Sequence, residues 1–170
     1  MLDRSPISIL AAVAFGLTVA ATLVAFAGDD SVRKELEAIY AKIDRSFRDK
    51  DFTYLKSLKT PDYTEKTKEG HIRNRRESDA KGDLAFQSLS QVKTYSTTIN
   101  RLEQGKSGNE VTVETSETGA FSFQEPDGKE REIEVQSKQR DIWVRTDAGW
   151  RVKYHEELES STKIDGQPVP

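Results

Sequence analysis

Few side chains in this sequence can do chemistry, and their spacing narrows what that chemistry could be. None of the 170 residues is cysteine. This removes a thiolate nucleophile, a thiolate metal site, a disulfide framework and a lipid-attachment cysteine. The two histidines, His71 and His155, fall far apart in different predicted elements, so no metal-ligand spacing exists and neither metal nor cofactor is expected. Gly105-Lys106-Ser107 has the ending of a phosphate-binding loop, but position 100 is Asn where that motif needs Gly, and the surroundings predict a hairpin turn. The one basic run, His71 to Arg76, is flanked by Glu65, Glu69, Glu77 and Asp79 and reads as a solvated helix end.

The last two runs of alternating residues offer the best constellation. Trp150, Val152, Tyr154 and Glu156 share a face by the two-residue period of a strand. If the preceding turn pairs Val144 with Trp150, Ile142 and Arg140 join that face. Arg140, Tyr154 and Glu156 would then converge, able to orient a polar ligand or poise an acid. The plainer alternative is an Arg–Glu cross-strand pair at the sheet rim, worth about 0.2–1 kcal/mol. A one-residue shift in register would move all of these to the other face. In this pattern His155 points away from them.

The elements that must position such residues are legible from periodicity. Val32, Leu36, Ile39, Tyr40, Ile43 and Phe47 recur at spacings of three and four, which predicts a helix over 31–50 with Asp29, Asp30 and Ser31 at its start. Asp51 can cap a short second helix bearing Phe52, Leu55 and Leu58, closed by Thr60-Pro61. A short strand over 63–67 and a weakly amphipathic helix over 72–87 follow, the latter interrupted by Gly82. Four strand-like runs, 89–102, 110–123, 130–145 and 150–158, are separated by turns rich in Gly, Asp and Asn, as in an antiparallel meander. Helices first and strands afterwards predict an α+β fold with the helices on one face of the sheet. Residues 161–170 read as a loose tail.

Ile7 to Ala27 carries no charge and ends in Ala25-Phe26-Ala27, the small-x-small pattern of a signal-peptide cleavage site. Residues 1–27 are therefore expected to be a signal peptide or, if uncleaved, a membrane anchor, since the run is long enough to span a bilayer. Either way the remainder is expected outside the cytoplasm, periplasmic or secreted, as one domain over 28–160. Membrane contact is expected only if the segment is retained; the basic run could then touch anionic lipid. The net charge of −3, from 26 basic and 29 acidic residues, argues against a nucleic-acid partner.

The text ELEAIYAKIDRSFRDKDFTYLKSL, followed by Pro61-Asp62-Tyr63, resembles the start of the nuclear transport factor 2-like superfamily with its SnoaL-like and ketosteroid-isomerase-like branches. Arg140-Asp141-Ile142-Trp143-Val144-Arg145 and Gly149-Trp150-Arg151-Val152 are similar to its closing hairpin. The resemblance implies a cystatin-like cone, in which a curved antiparallel sheet wraps a long N-terminal helix and leaves a cavity open at one end. Such cavities serve as isomerase or cyclase sites, as small-molecule pockets, or only as part of a dimerising scaffold. Relatives often carry a histidine near the end of the last strand, where Tyr154 and Glu156 stand here. Tyr40 and Tyr63 could reach into the cone and donate hydrogen bonds, as an isomerase of this kind requires for a developing enolate, although aromatic packing is the simpler role for both. Asp44, at the edge of the helix stripe, reads as a solvated charge.

With no recognisable catalytic constellation, the sequence favours an exported, non-catalytic module that binds a small apolar or amphipathic molecule or forms a homodimer through its sheet. The competing reading is a small isomerase or polyketide-cyclase-type enzyme acting on an apolar substrate. A carboxyl group inside the cone that titrates near neutrality would discriminate in favour of the enzyme.

Overall fold

The computed structural model describes residues 23–125 and 128–169. Helix α1 spans Leu23–Arg48, eight residues longer at its start than the spacing predicts. Leu23 to Ala27 are mostly good helix formers, and Gly28 costs only about 1 kcal/mol inside a helix that continues on both sides. Of residues 1–27, expected to form a signal peptide or anchor, those before Leu23 lie outside the described residues. Among the described residues, no helix is long and apolar enough to cross a membrane.

The chain then forms α2 (Phe52–Ser57), β1 (Lys59–Lys66), β2 (Ile72–Asn74), α3 (Arg75–Ser88), β3 (Leu89–Gln104), β4 (Glu110–Gln124), β5 (Glu130–Thr146), β6 (Gly149–Ile164) and β7 (Gln167–Val169). The Asp51 carboxylate caps α2 by accepting from the Tyr54 amide at 3.2 Å. Asn74 and Glu77 form a reciprocal capping box at the start of α3, satisfying two otherwise orphaned amides. Gly82, which interrupts the weak helical pattern, has a packing reason: a Cβ there would lie 2.0 Å from Cζ of Phe52. Only a glycine lets α3 rest on that ring.

The strands run in the order β2-β1-β6-β5-β4-β3, with β7 also on β6. The four long strands form the expected antiparallel meander, but β1 joins β6 in parallel. Pro61 falls within β1 where pairing with β6 is interrupted between Lys59 and Thr64, so its missing amide breaks no ladder bond. Irregularities in β3 and β6 bend the sheet, as an extra residue on one strand does. The result is an open, curved sheet closed on one side by α1.

Val32, Leu36 and Tyr40 of α1 pack with Leu58, Val111, Val113, Trp143 and Trp150 in the core. Burying an aliphatic side chain such as Leu36 stabilises the fold by about 1.5–3 kcal/mol. Residues 161–169 depart from the loose tail expected over 161–170. Strand β6 continues through Ile164, and β7 turns back to pair with it at Thr162 to Ile164. Gly166, with φ of 78°, makes that reversal possible, and an edge offering free backbone donors supplies the partner.

Candidate functional site

Between α1, α2, α3 and the concave sheet lies a cavity of about 420 Å³. Its walls are apolar and aromatic, with Phe47, Phe52, Phe86 and Trp143 among them. Phe47 stacks on Tyr95 at 3.9 Å between ring centroids, and Phe86 packs against Phe47 at 5.0 Å. A larger, shallower groove of about 780 Å³ runs along β1 and α3. Its Arg75, Asp79 and Asp83 are engaged in ion pairs at the surface, and the buried titratable groups cluster in the smaller cavity instead.

The polar centre of that cavity comes from two neighbouring strands. Asp141 of β5 and His155 of β6 are register partners. Nδ1 of His155 lies 2.8 Å from Oδ1 of Asp141, whose other oxygen accepts from the Tyr40 hydroxyl at 2.6 Å. Nε1 of Trp143 in turn donates to the Tyr40 oxygen at 2.9 Å. With Asp141 ionised, its carboxylate holds the proton of His155 on Nδ1 and leaves Nε2 with its lone pair. Nε2 has no hydrogen-bond partner among the described residues. Burial opposes charge on His155, but the hydrogen bond and charge of Asp141, helped by Glu117 and Glu65, outweigh it and make the ring more basic than usual. Burial and Asp141 push the Tyr40 phenol well up, so it remains a donor.

Two further carboxyl groups face the cavity. Glu65 of β1 pairs in register with His155, and it accepts from Arg73 at 2.6 Å and from the Ser78 hydroxyl at 2.5 Å. Burial would raise its titration, but those bonds overcome it and keep it ionised. Glu117 of β4 uses Oε2 to accept from the Tyr95 hydroxyl at 2.5 Å and from Gln139 Nε2 at 2.9 Å. Burial pushes its carboxyl up to about 7, the Tyr95 bond and His155 notwithstanding.

Of the five side chains expected in a pocket, Tyr40 and Tyr63 line this cavity. Tyr63 is buried, with the Lys59 ammonium 4.7 Å from its ring centroid. Arg140, Tyr154 and Glu156 do not line it; they face the opposite side of the sheet. The hairpin pairs Arg145, not Val144, with Trp150, and the register shifts again between Trp143↔Val152 and Ile142↔Tyr154. Lys153 is the extra residue. Trp150 is buried and Val152 lines the cavity, but beyond this β-bulge the inward positions become His155 and Glu157. Arg140 instead bonds Glu114 at 2.9 Å and Glu156 at 3.3 Å, and Lys66 bonds Glu156 at 2.8 Å, a charged ladder over four strands. The plainer cross-strand pairing of Arg140 with Glu156 is what these contacts show. Asp44 is no free charge either, since it accepts from the amide and hydroxyl of Thr97 and ties α1 to β3.

The functional residues that sequence reasoning missed are therefore Asp141, His155 and Glu117. A signal for the first existed: Asp141 stands two residues from Trp143, so a strand that buries the tryptophan turns the aspartate to the same side.

The sequence matches no family model and no curated protein. Solved structures do resemble it. A conserved protein from Planctomyces limnophilus superposes with a TM-score of 0.64 at 16% identity, covering 82% of this chain and 99% of its own. A putative scytalone dehydratase from Novosphingobium aromaticivorans gives a TM-score of 0.62 at 11% identity, over 79% of this chain and 89% of the other. An NTF2-like protein from Cytophaga hutchinsonii gives 0.57 at 12% identity, over 74% and 95%.

Proposed function

We propose, from the premise that this chain has the NTF2-like fold, that its cavity binds a small, largely apolar molecule and moves a proton on it. The observation that carries this reading is the pairing of buried Asp141 with half-buried His155, whose Nε2 has no bond among the described residues and sits in an aromatic-walled cavity. Nε2 takes a proton from an acidified C–H of the substrate, and the imidazolium so formed is stabilised by Asp141. The imidazolium exchanges its proton with solvent and delivers one to a carbon of the substrate, or to a departing hydroxyl that leaves as water, so the chemistry is an isomerisation or an elimination. Tyr40, itself held by Trp143, keeps Asp141 in place and shares its charge. Glu117, poised to titrate near neutrality within the cavity, supports the catalytic reading over the purely binding one. The description of one fold neighbour as a putative scytalone dehydratase is consistent with proton chemistry on this scaffold.

The test is deuterium incorporation. A panel of small cyclic ketones and β-hydroxyketones is incubated in heavy water with the wild-type protein and with His155→Ala and Asp141→Asn. Exchange or elimination above background, lost in His155→Ala and reduced in Asp141→Asn, is expected. Compounds that bind yet neither exchange nor eliminate would make this a binding module. Export is proposed from residues 7–27 alone, and an intact-mass measurement on the protein from each cell fraction checks it. A homodimer through the outer sheet face is a further proposal, tested by sedimentation equilibrium.

A further inference from the structure

Part of the charge lining the cavity faces an opposite partner. Glu65 faces Arg73 at 2.6 Å, Lys59 faces Asp79 at 2.8 Å, and Asp141 faces His155 at 2.8 Å. Lys81, exposed on α3, and Glu157, half-buried on β6, have no ion pair among the described residues. Glu117 has none either, and it is the carboxylate held by the aromatic wall. Its two hydrogen-bond donors, Tyr95 and Gln139, are neutral, and its Oε1 has no bond among the described residues. Tyr95 is itself one of the stacked rings of the wall.

A carboxylate removed from water without a countercharge is costly, and the cost falls when a cation completes the pair. An ammonium N–H bonded to a carboxylate is also about twice as strong as a neutral bond, and aromatic walls favour a cation further. An anionic ligand would instead meet Glu117, Glu65 and Asp141 together. We propose that Glu117 is the anchor for a cationic ligand, so that the cavity selects a small apolar ring carrying a protonated amine bonded to Oε1. This rests on the cavity being a ligand site but not on proton transfer at His155.

Calorimetric titration with benzylammonium and with benzyl alcohol, its neutral near-isostere, tests the idea at about pH 8, where both Glu117 and the amine are charged. The wild type is expected to bind the ammonium at least about tenfold more tightly, equivalent to about 1.4 kcal/mol. Glu117→Gln is expected to bring the two within about twofold while leaving the alcohol's affinity unchanged. Equal affinities in the wild type, no binding of the ammonium, a preference that survives Glu117→Gln, or tighter binding of benzoate would each overturn the proposal. Should Glu117→Gln fail to fold, the wild type still decides. Near pH 7 benzylammonium must expel a proton from Glu117, read as a binding enthalpy that changes with the ionisation enthalpy of the buffer, and no such change overturns it. Loss of isotope exchange with retained amine preference would break the catalytic reading and leave this one standing.

Discussion

Asp141–His155 and Arg140–Glu156 are adjacent rungs of the same two strands, one facing the cavity and the other facing out. Both pair a carboxylate with a basic group. The side chains of the inner rung, Asp141 and His155, are 8% and 22% exposed; on the outer rung Glu156 is 16% and Arg140 40% exposed. Inside, Asp141 takes a second protein donor in Tyr40, whose oxygen accepts in turn from Trp143. Outside, water can fill any position that Glu114, Glu156 or Lys66 leaves open. The side of the sheet a rung faces, and the partners it meets there, separate one that can poise a base from one that only decorates a sheet.

The sharpest way to break this comparison is Asp141→Ala. It strands His155 and the Tyr40 hydroxyl together, and a loss of about 3–5 kcal/mol is expected in denaturant unfolding. A loss below about 1 kcal/mol would put the inner rung on a level with the outer one. Tyr40→Phe preserves the shape of the cavity but removes one donor from Asp141 and leaves Trp143 Nε1 unpaired. About 1–3 kcal/mol is expected, with His155 still in place by its spectral shifts.

The two rungs should also respond to pH with opposite slopes. His155 titrates above its ordinary value in the folded state, so its contribution is present below about pH 6.5 and lost as pH rises through the folded value. Glu117, raised from 4.5 to about 7, holds its proton in the fold; its contribution is present below 4.5 and is likewise lost as pH rises towards 7. On the outer rung, the hydrogen bond from Lys66 holds Glu156 below its ordinary range, against a small effect of burial, so its contribution is present above 4.5 and lost as pH falls. Stability curves for Glu117→Gln and Glu156→Gln are expected to flatten on the neutral and acid limbs respectively. The smallest effect is expected from Arg140→Ala, about 0–1 kcal/mol and weaker still in high salt.

The helical stripe of α1 and the alternating runs of β3 to β6 could be read in advance because each element repeats its own burial pattern many times. One misplaced residue does not blur such a signal. The cavity was less legible because its polar groups depend on single events between strands. Nothing in Arg151-Val152-Lys153-Tyr154-His155 announces a bulge: every residue there suits a strand, and the extra position is defined only against β5. Glu117 lies among Thr115, Ser116 and Thr118, where composition suggests a solvated rim. The approach of Tyr95 from β3 and Gln139 from β5 half-buries it.

The bulge at Lys153 therefore works on β6 much as a skipped base preserves a reading frame. Tyr154 to Glu157 face as they would if Lys153 were absent, not as unbroken alternation from Val152 would turn them. Drawing that single residue back into the ladder would exchange His155 for Tyr154 and Glu156 at the cavity wall, whereas deleting it would leave His155 facing inward. Along a two-letter alternation, a phase slip can give or take away a whole site in one step, where substitutions would need several. Chains of this architecture are accordingly better compared by which positions face inward than by which positions align.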